Sequence, residues 1–199
     1  MNDEYRNPPG LGFWALVRED LRVHDGDWTV PGFRALFVHR FGNWRMSVEP
    51  KVLRAPLSLI YRRMFRRVRN KYGIELDFST RVGRRVQIHH QSGIVINGYC
   101  VIGDDCIIRH NVTMGIRSLD DMTGAPTLGR GVDVGTGAVI VGRISVGDGA
   151  SIGANAVVLQ DVPAGTIAVG VPARIIERSG APRADHNGTS APAGTGPSS

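Results

Sequence analysis

The stretch LGRGVDVGTGAVIVGRISVGDGASIGANAVVLQDV, residues 128–162, decides the fold. Within it Leu128, Val134, Ile140, Val146, Ile152 and Val158 recur at six-residue intervals without a break. Four residues after each stand Val132, Ala138, Ile144, Ala150, Ala156 and Val162, and glycine follows the aliphatic residue directly at Gly129, Gly135, Gly147 and Gly153. An exposed strand repeats at two and an amphipathic helix at about 3.6, so neither holds a strict six. A chain wound around a triangular prism does, with one short strand per face and three faces per coil. The aliphatic residue points inward, the small residue sits near the corner, and glycine tolerates the turn. The pattern is that of a left-handed parallel β-helix.

Working outward, the same register runs through Ile96, Ile102, Ile108 and Met114, with Cys100, Cys106 and Val112 at the fourth offset. Val82 and Ile88 continue it backwards, with Val86 and Ser92 expected in the small slot and two extra residues before Ile96. The slot predicts that Cys100 and Cys106 are buried as compact apolar groups. They are too few for a disulfide framework and too isolated for a zinc site. Residues 115–126, GIRSLDDMTGAP, break the count and must loop out of the prism. Such a loop on a rigid scaffold is either a site wall or a tolerated insertion.

Four regions result: a polar, flexible stretch at 1–10, a helical region at 11–74, the β-helix at 75–176 and a disordered tail at 177–199. The helical region shows apolar residues at helical spacing in Phe13–Val17, Phe33–Phe41 and Leu53–Val68. Gly10, Gly26, Pro31, Gly32, Gly42, Pro50 and Pro56 are expected to supply its breaks or starts. The 199 residues carry a net charge of +6. Much of it lies between Arg62 and Lys71, alternating with Tyr61, Met64, Phe65 and Val68 at helical spacing. This is either a solvated helix face or a contact for something anionic, such as a membrane surface or CoA phosphates. No motif that reads bases accompanies it, so nucleic acid is not an expected partner. No apolar run approaches the roughly 18–20 residues that span a bilayer, and the start lacks a signal peptide's apolar core, so a cytoplasmic protein is expected.

Two imidazoles are the conspicuous reactive groups. His90 and His110 each sit two positions after an inward aliphatic residue, so they should stack on adjacent coils about 4.8 Å apart. They read as a reactive ridge or as two corner histidines. As a base, histidine suits acyl transfer to a hydroxyl near neutral pH, and a carboxylate holding its tautomer completes a dyad. Glu75 and Asp77 are near enough in sequence to lie one coil below His90. No serine or cysteine nucleophile with an adjacent base is evident, which favours direct transfer.

HHQSGIVI, IIRHNVTMG and IGANAVVLQDVPAGTIAVGVPARII together resemble the serine acetyltransferases of the hexapeptide acyltransferase superfamily, over roughly Tyr72 to Ile176. More weakly, GFRALFVHRFGNW resembles that family's last N-terminal helices. The resemblance implies His90 as catalytic base with Glu75 as its carboxylate partner, and acetyl-CoA as co-substrate near Thr136 and Ala154, with no resident cofactor or metal. It also implies a homotrimer or a dimer of trimers, with sites at subunit boundaries.

Departures from the family concentrate at the acceptor. His89 stands where the family has an acidic residue, and Gly124-Ala125-Pro126 where it has Arg-His-Pro. Asp25-Gly26-Asp27-Trp28 replaces its Asp-Pro-Ala. The arginine that would hold an amino acid's carboxylate is missing, a charge-assisted anchor that Arg117 or Arg109 would have to replace. His89, His110 and Arg117 are the expected acceptor-binding residues. The acceptor is L-serine by family default, or a sugar hydroxyl of a polysaccharide or glycolipid precursor. The tail ends Pro-Ser-Ser, not in the isoleucine the family inserts into cysteine synthase, so that complex is not expected. A γ-class carbonic anhydrase would need three converging histidines, whereas adjacent His89 and His90 point to opposite sides. A non-catalytic trimeric scaffold is the remaining alternative.

Overall fold

The computed structural model describes residues 7–8 and 10–178. The polar N-terminal stretch and the glycine- and proline-rich tail lie almost wholly outside them. Three helices come first: α1 (Phe13–Arg22), α2 (Pro31–Met46) and α3 (Lys51–Tyr72). Pro31 opens α2 at its first turn, where its missing N–H costs nothing, and Gly73 ends α3 with φ 63°. Two expected breaks are not breaks. Pro56 lies inside α3, in its second turn, and Gly42 lies inside α2. Gly42 is there for packing: a Cβ would come within 2.7 Å of Tyr61 and Phe78.

The prism follows in coils. The first holds β1 (Ile74–Leu76), β2 (Arg81–Val82) and β3 (Gln87–Ile88), and the second β4 (Ile94–Ile96), β5 (Val101–Ile102) and β6 (Ile107–Ile108). The third holds β7 (Thr113–Gly115), β8 (Thr127–Leu128) and β9 (Asp133–Val134), and the fourth β10 (Val139–Val141), β11 (Ser145–Val146) and β12 (Ser151–Ile152). The fifth holds β13 (Val157–Val158), a single bridge from Val162 to Val146, and β14 (Ile167–Val169). Each coil pairs in parallel with the next, giving three faces of a left-handed β-helix. One inward column runs Leu76, Ile96, Met114, Ile140, Val158; a second runs Val82, Ile102, Leu128, Val146, Val162. The third runs Ile88, Ile108, Val134, Ile152, Ala168. All are buried, each aliphatic side chain contributing about 1.5–3 kcal/mol relative to exposure. Cys100 and Cys106 fill the small slot as expected, and burial pushes their thiols up to about 12 and about 11.

Both ends of the stack are covered. At the top, β15 (Arg174–Ile176) folds back antiparallel on β14. At the bottom, α2 and α3 pack on β1, and α2 also on β3. The seal is polar as well as apolar. Arg40 on α2 is wholly buried; its Nε donates to Asp20 Oδ2 at 2.9 Å and its two amino groups donate to Val82 O and Gly83 O at 2.7 and 2.6 Å. Losing one partner of such a buried pair costs about 3–5 kcal/mol.

His39, next to Arg40 on α2, is also buried, and its Nε2–H donates to Thr80 O at 2.8 Å. Burial, with Arg40 adjacent, lowers its pKa from 6.5 to about 3. The unfolded chain therefore takes up a proton near pH 6.5 that the fold refuses until about pH 3. Stability from this site is complete above the upper value and falls as pH drops through the window. Urea unfolding at stepped pH should show that slope in the parent protein, and His39→Gln should flatten it.

Candidate active site

The corner after β3 departs from its counterparts. Register alignment pairs Ile88 with Ile108, yet also Ile96 with Met114, so the lower coil carries two more residues between these points than the upper one. The small slot there is filled by Ile94, fully buried, and not by Ser92, which is exposed. The expectation for Ser92 fails because the two inserted residues push it out to the edge. There Asn111 N–H donates to Ser92 O, Gly137 N–H to His110 O and Asn155 N–H to Thr136 O. Ser92, His110 and Thr136 therefore stack along one prism edge, and Ala154, preceding Asn155, continues it.

The excess residues are His90 and Gln91. His90 adopts φ 66°, a left-handed conformation uncommon outside glycine and asparagine, and its side chain stands exposed at the corner. Its ring lies 5.5 Å from that of His110 at an interplanar angle of 80°. The two rings therefore meet, edge to face, but not by the register expected from spacing: the main chain sets Ser92 opposite His110, and His90 reaches it from the inserted corner. Pro31, His90, Gln91 and His110 line an open cleft of about 630 Å³. His110 Nδ1 is buried with no hydrogen-bond partner, a state that costs about 1–3 kcal/mol unless a ligand relieves it.

The other expected site residues divide. His89 is next to His90, ring centroids 6.4 Å apart, and its Nε2 pairs with Gln87 Oε1 at 3.1 Å. Partial burial and then the Arg109 guanidinium hold its pKa below the ordinary imidazole value. Glu75 is the outward residue of β1, in register with Val95, and no hydrogen bond joins it to His90. Asp77 is occupied in a turn, accepting from Ser79 N–H and Oγ–H at 2.8 and 2.7 Å. Arg109 is committed to an ion pair with Asp133. Arg117 lies in a different cleft, of about 390 Å³, with Asp121, Gly124, Gly142, Arg143 and Leu159. Residues 115–126 do leave the prism between β7 and β8, but they fold back on it: Gly124–Pro126 are buried, and Arg143 holds Asp121 at 2.8 Å.

Two positioning contacts escape any sequence pattern. His24 Nδ1–H donates to Asp20 O at 2.6 Å, leaving Nε2 to accept Ile88 N–H at 3.3 Å, two residues before His90. Gly32 presses on the same strand, where a Cβ would stand 2.1 Å from Ile88 O. Both join positions more than fifty apart in the chain, and no local spacing signals them.

No family model matches the chain. It is 38% identical over 167 residues to a serine acetyltransferase of Helicobacter pylori, spanning 93% of that protein and 82% of this one. The chain belongs to the serine acetyltransferase family. To WcaB of Escherichia coli K12, named as an acetyltransferase of colanic acid biosynthesis, it is 36% identical over 162 residues, 96% of that protein and 79% of this chain. It spans only 59% of a Synechococcus elongatus serine acetyltransferase, at 37% identity over 75% of its own length. Among solved structures, serine acetyltransferase of Brucella abortus in complex with coenzyme A superposes with a TM-score of 0.71 at 28% identity, over 84% of this chain and 69% of that one. Soybean serine acetyltransferase complexed with serine superposes at 0.70 and 33% identity, over 82% and 69%.

The Gly32 contact can be tested directly. Gly32→Ala should destabilise the fold by about 1–3 kcal/mol in urea titration, since the added methyl displaces β3 or α2. An unchanged midpoint would show that the two elements are not held as closely as described.

Proposed function

We propose that the protein is a cytoplasmic O-acetyltransferase that moves acetyl from acetyl-CoA directly to a saccharide hydroxyl, with His90 as general base. In this reaction a ring nitrogen of His90 takes the hydroxyl proton as the oxygen attacks the thioester carbonyl. The carbon–sulfur bond then breaks, and the imidazolium returns the proton to the departing thiolate. Glu75, on the first strand of the same coil, supports the imidazolium electrostatically, and acetyl-CoA lies along the edge carrying Thr136 and Ala154. The cleft is open on one side, which suits closure by a neighbouring protomer in a homotrimer or a dimer of trimers.

The observation that carries the acceptor is the charge of the cleft. Among the described residues no cationic side chain lines the space beside His90 and His110. Arg109 is bound to Asp133, and Arg117 and Arg143 line the other cleft. A free amino acid would leave its carboxylate without a bidentate partner, whereas a sugar needs only neutral donors and acceptors. His110 and His89 supply these at the acceptor end. WcaB, matched over 96% of its length, supports the same reading. L-serine is the second reading, favoured by the equally extended match to the Helicobacter pylori serine acetyltransferase.

Thiol release from acetyl-CoA, measured with L-serine and with a panel of sugars and oligosaccharides, separates the two. Release with saccharides alone is expected; serine-dependent release would overturn the saccharide assignment. His90→Ala should lower turnover by about two to four orders of magnitude with the fold intact, and Glu75→Gln should lower it less. His110→Ala should raise the KM for the acceptor more than it lowers kcat. Near-normal turnover in His90→Ala would remove it as the base.

A further inference from the structure

Helix α3 has 22 residues and is about 33 Å long. It buries Tyr61, Val68 and Tyr72 against the rest of the molecule. The opposite side forms one stripe, stepping by seven residues from Val52 and Leu53 to Leu59 and Ile60 and by three or four from there to Lys71, and its two halves differ in chemistry. The first half is aliphatic: Val52, Leu53, Leu59 and Ile60 are 80%, 54%, 66% and 48% exposed. The second half is basic: Arg63, Arg66, Arg67 and Lys71 are all exposed and border a shallow cleft of about 530 Å³. The helix contains no acidic residue, and among the described residues none of these four cations has a carboxylate partner.

A solvated face accounts for the arginines but not for four large aliphatic side chains in water on the same line. A second copy of the helix would cover the aliphatic half while leaving the like charges of both copies unneutralised. A nucleic acid would neutralise the charge but has little use for aliphatic ends, and the stripe presents no aromatic ring for base stacking. An anionic lipid leaflet satisfies both halves. Aliphatic side chains enter the boundary between headgroups and acyl chains, while arginines lay their stems along it and reach phosphate. No helix among the described residues is long and apolar enough to cross a membrane, so the contact is one of lying on the surface.

We propose that the outward stripe of α3 seats this protein on an anionic membrane surface, aliphatic half inserted and basic half on the headgroups. The inference stands whichever acceptor the cleft takes. The test is sedimentation of the full chain with vesicles of phosphatidylcholine alone and of phosphatidylcholine mixed with phosphatidylglycerol. Binding to the anionic vesicles is expected, weakened by salt and nearly absent with the neutral ones. The paired changes Leu59→Glu with Ile60→Glu, and Arg66→Glu with Arg67→Glu, should each lower partitioning by at least about tenfold. All four positions are exposed, so circular dichroism and turnover with a soluble acceptor should be unchanged. No sedimentation with anionic vesicles would overturn the proposal, as would binding indifferent to both pairs. So would an aliphatic pair that lowers the assembly mass in light scattering without affecting lipid binding, since a second copy would then cover the stripe.

Discussion

Each coil of the prism takes its register from the one beside it, through main-chain bonds such as His89 N–H to Ile108 O and Ile107 N–H to Val132 O. A parallel ladder of this kind admits no slip: a shift by one residue would turn every inward aliphatic side chain to water. The position of any outward group is therefore set by counting along the chain, and a miscounted corner moves everything on it. The one corner that breaks the count in the lower coils is where His90 stands. Two residues more than its neighbour above, held between strands that cannot shift, must be expelled, and the left-handed backbone of His90 is the result.

That constraint explains why the helices matter to a site they barely enter. The first coil has no coil beneath it, and an unpaired prism end would fray. Helices α2 and α3 cover it, with the buried Arg40–Asp20 pair reaching Val82 and Gly83 and with His24 holding Ile88. Pro31, at the start of α2, becomes a wall of the cleft beside His90 and His110. The helical region is thus both the plug of the solenoid and the support for its most irregular corner. The outer side of α3 is turned away from that contact.

Cleft chemistry follows from which charges are already satisfied. Arg109 precedes His110 directly, yet its guanidinium is turned to Asp133 on the next coil up. Arg117 belongs to the loop but packs over Gly142, in the corner after β10 on the next coil. What is left near His90 is a second imidazole and a glutamine, a pair suited to hydroxyl groups rather than to a carboxylate.

The sequence alone determined the prism, because a strict period of six calls for one, and the aliphatic residues it lists do stack; Val162, expected in the small slot, instead lies inward opposite Val146, because the last coil is two residues short after Val158. It also placed Cys100 and Cys106 inside, brought His90 and His110 to adjacent coils, and marked residues 115–126 as leaving the prism. It misjudged Ser92, since counting backwards in sixes cannot say where two extra residues will be absorbed. It misread Gly42 and Pro56 as breaks, since close packing on Tyr61 and a second-turn proline look the same in one dimension as an interruption. Only tertiary structure decided which cations are spent, which imidazole nitrogen lacks a partner, and that the aliphatic and basic halves of α3 lie on one unburied line. Those outcomes depend on contacts between residues far apart in the chain, and no local period carries that information.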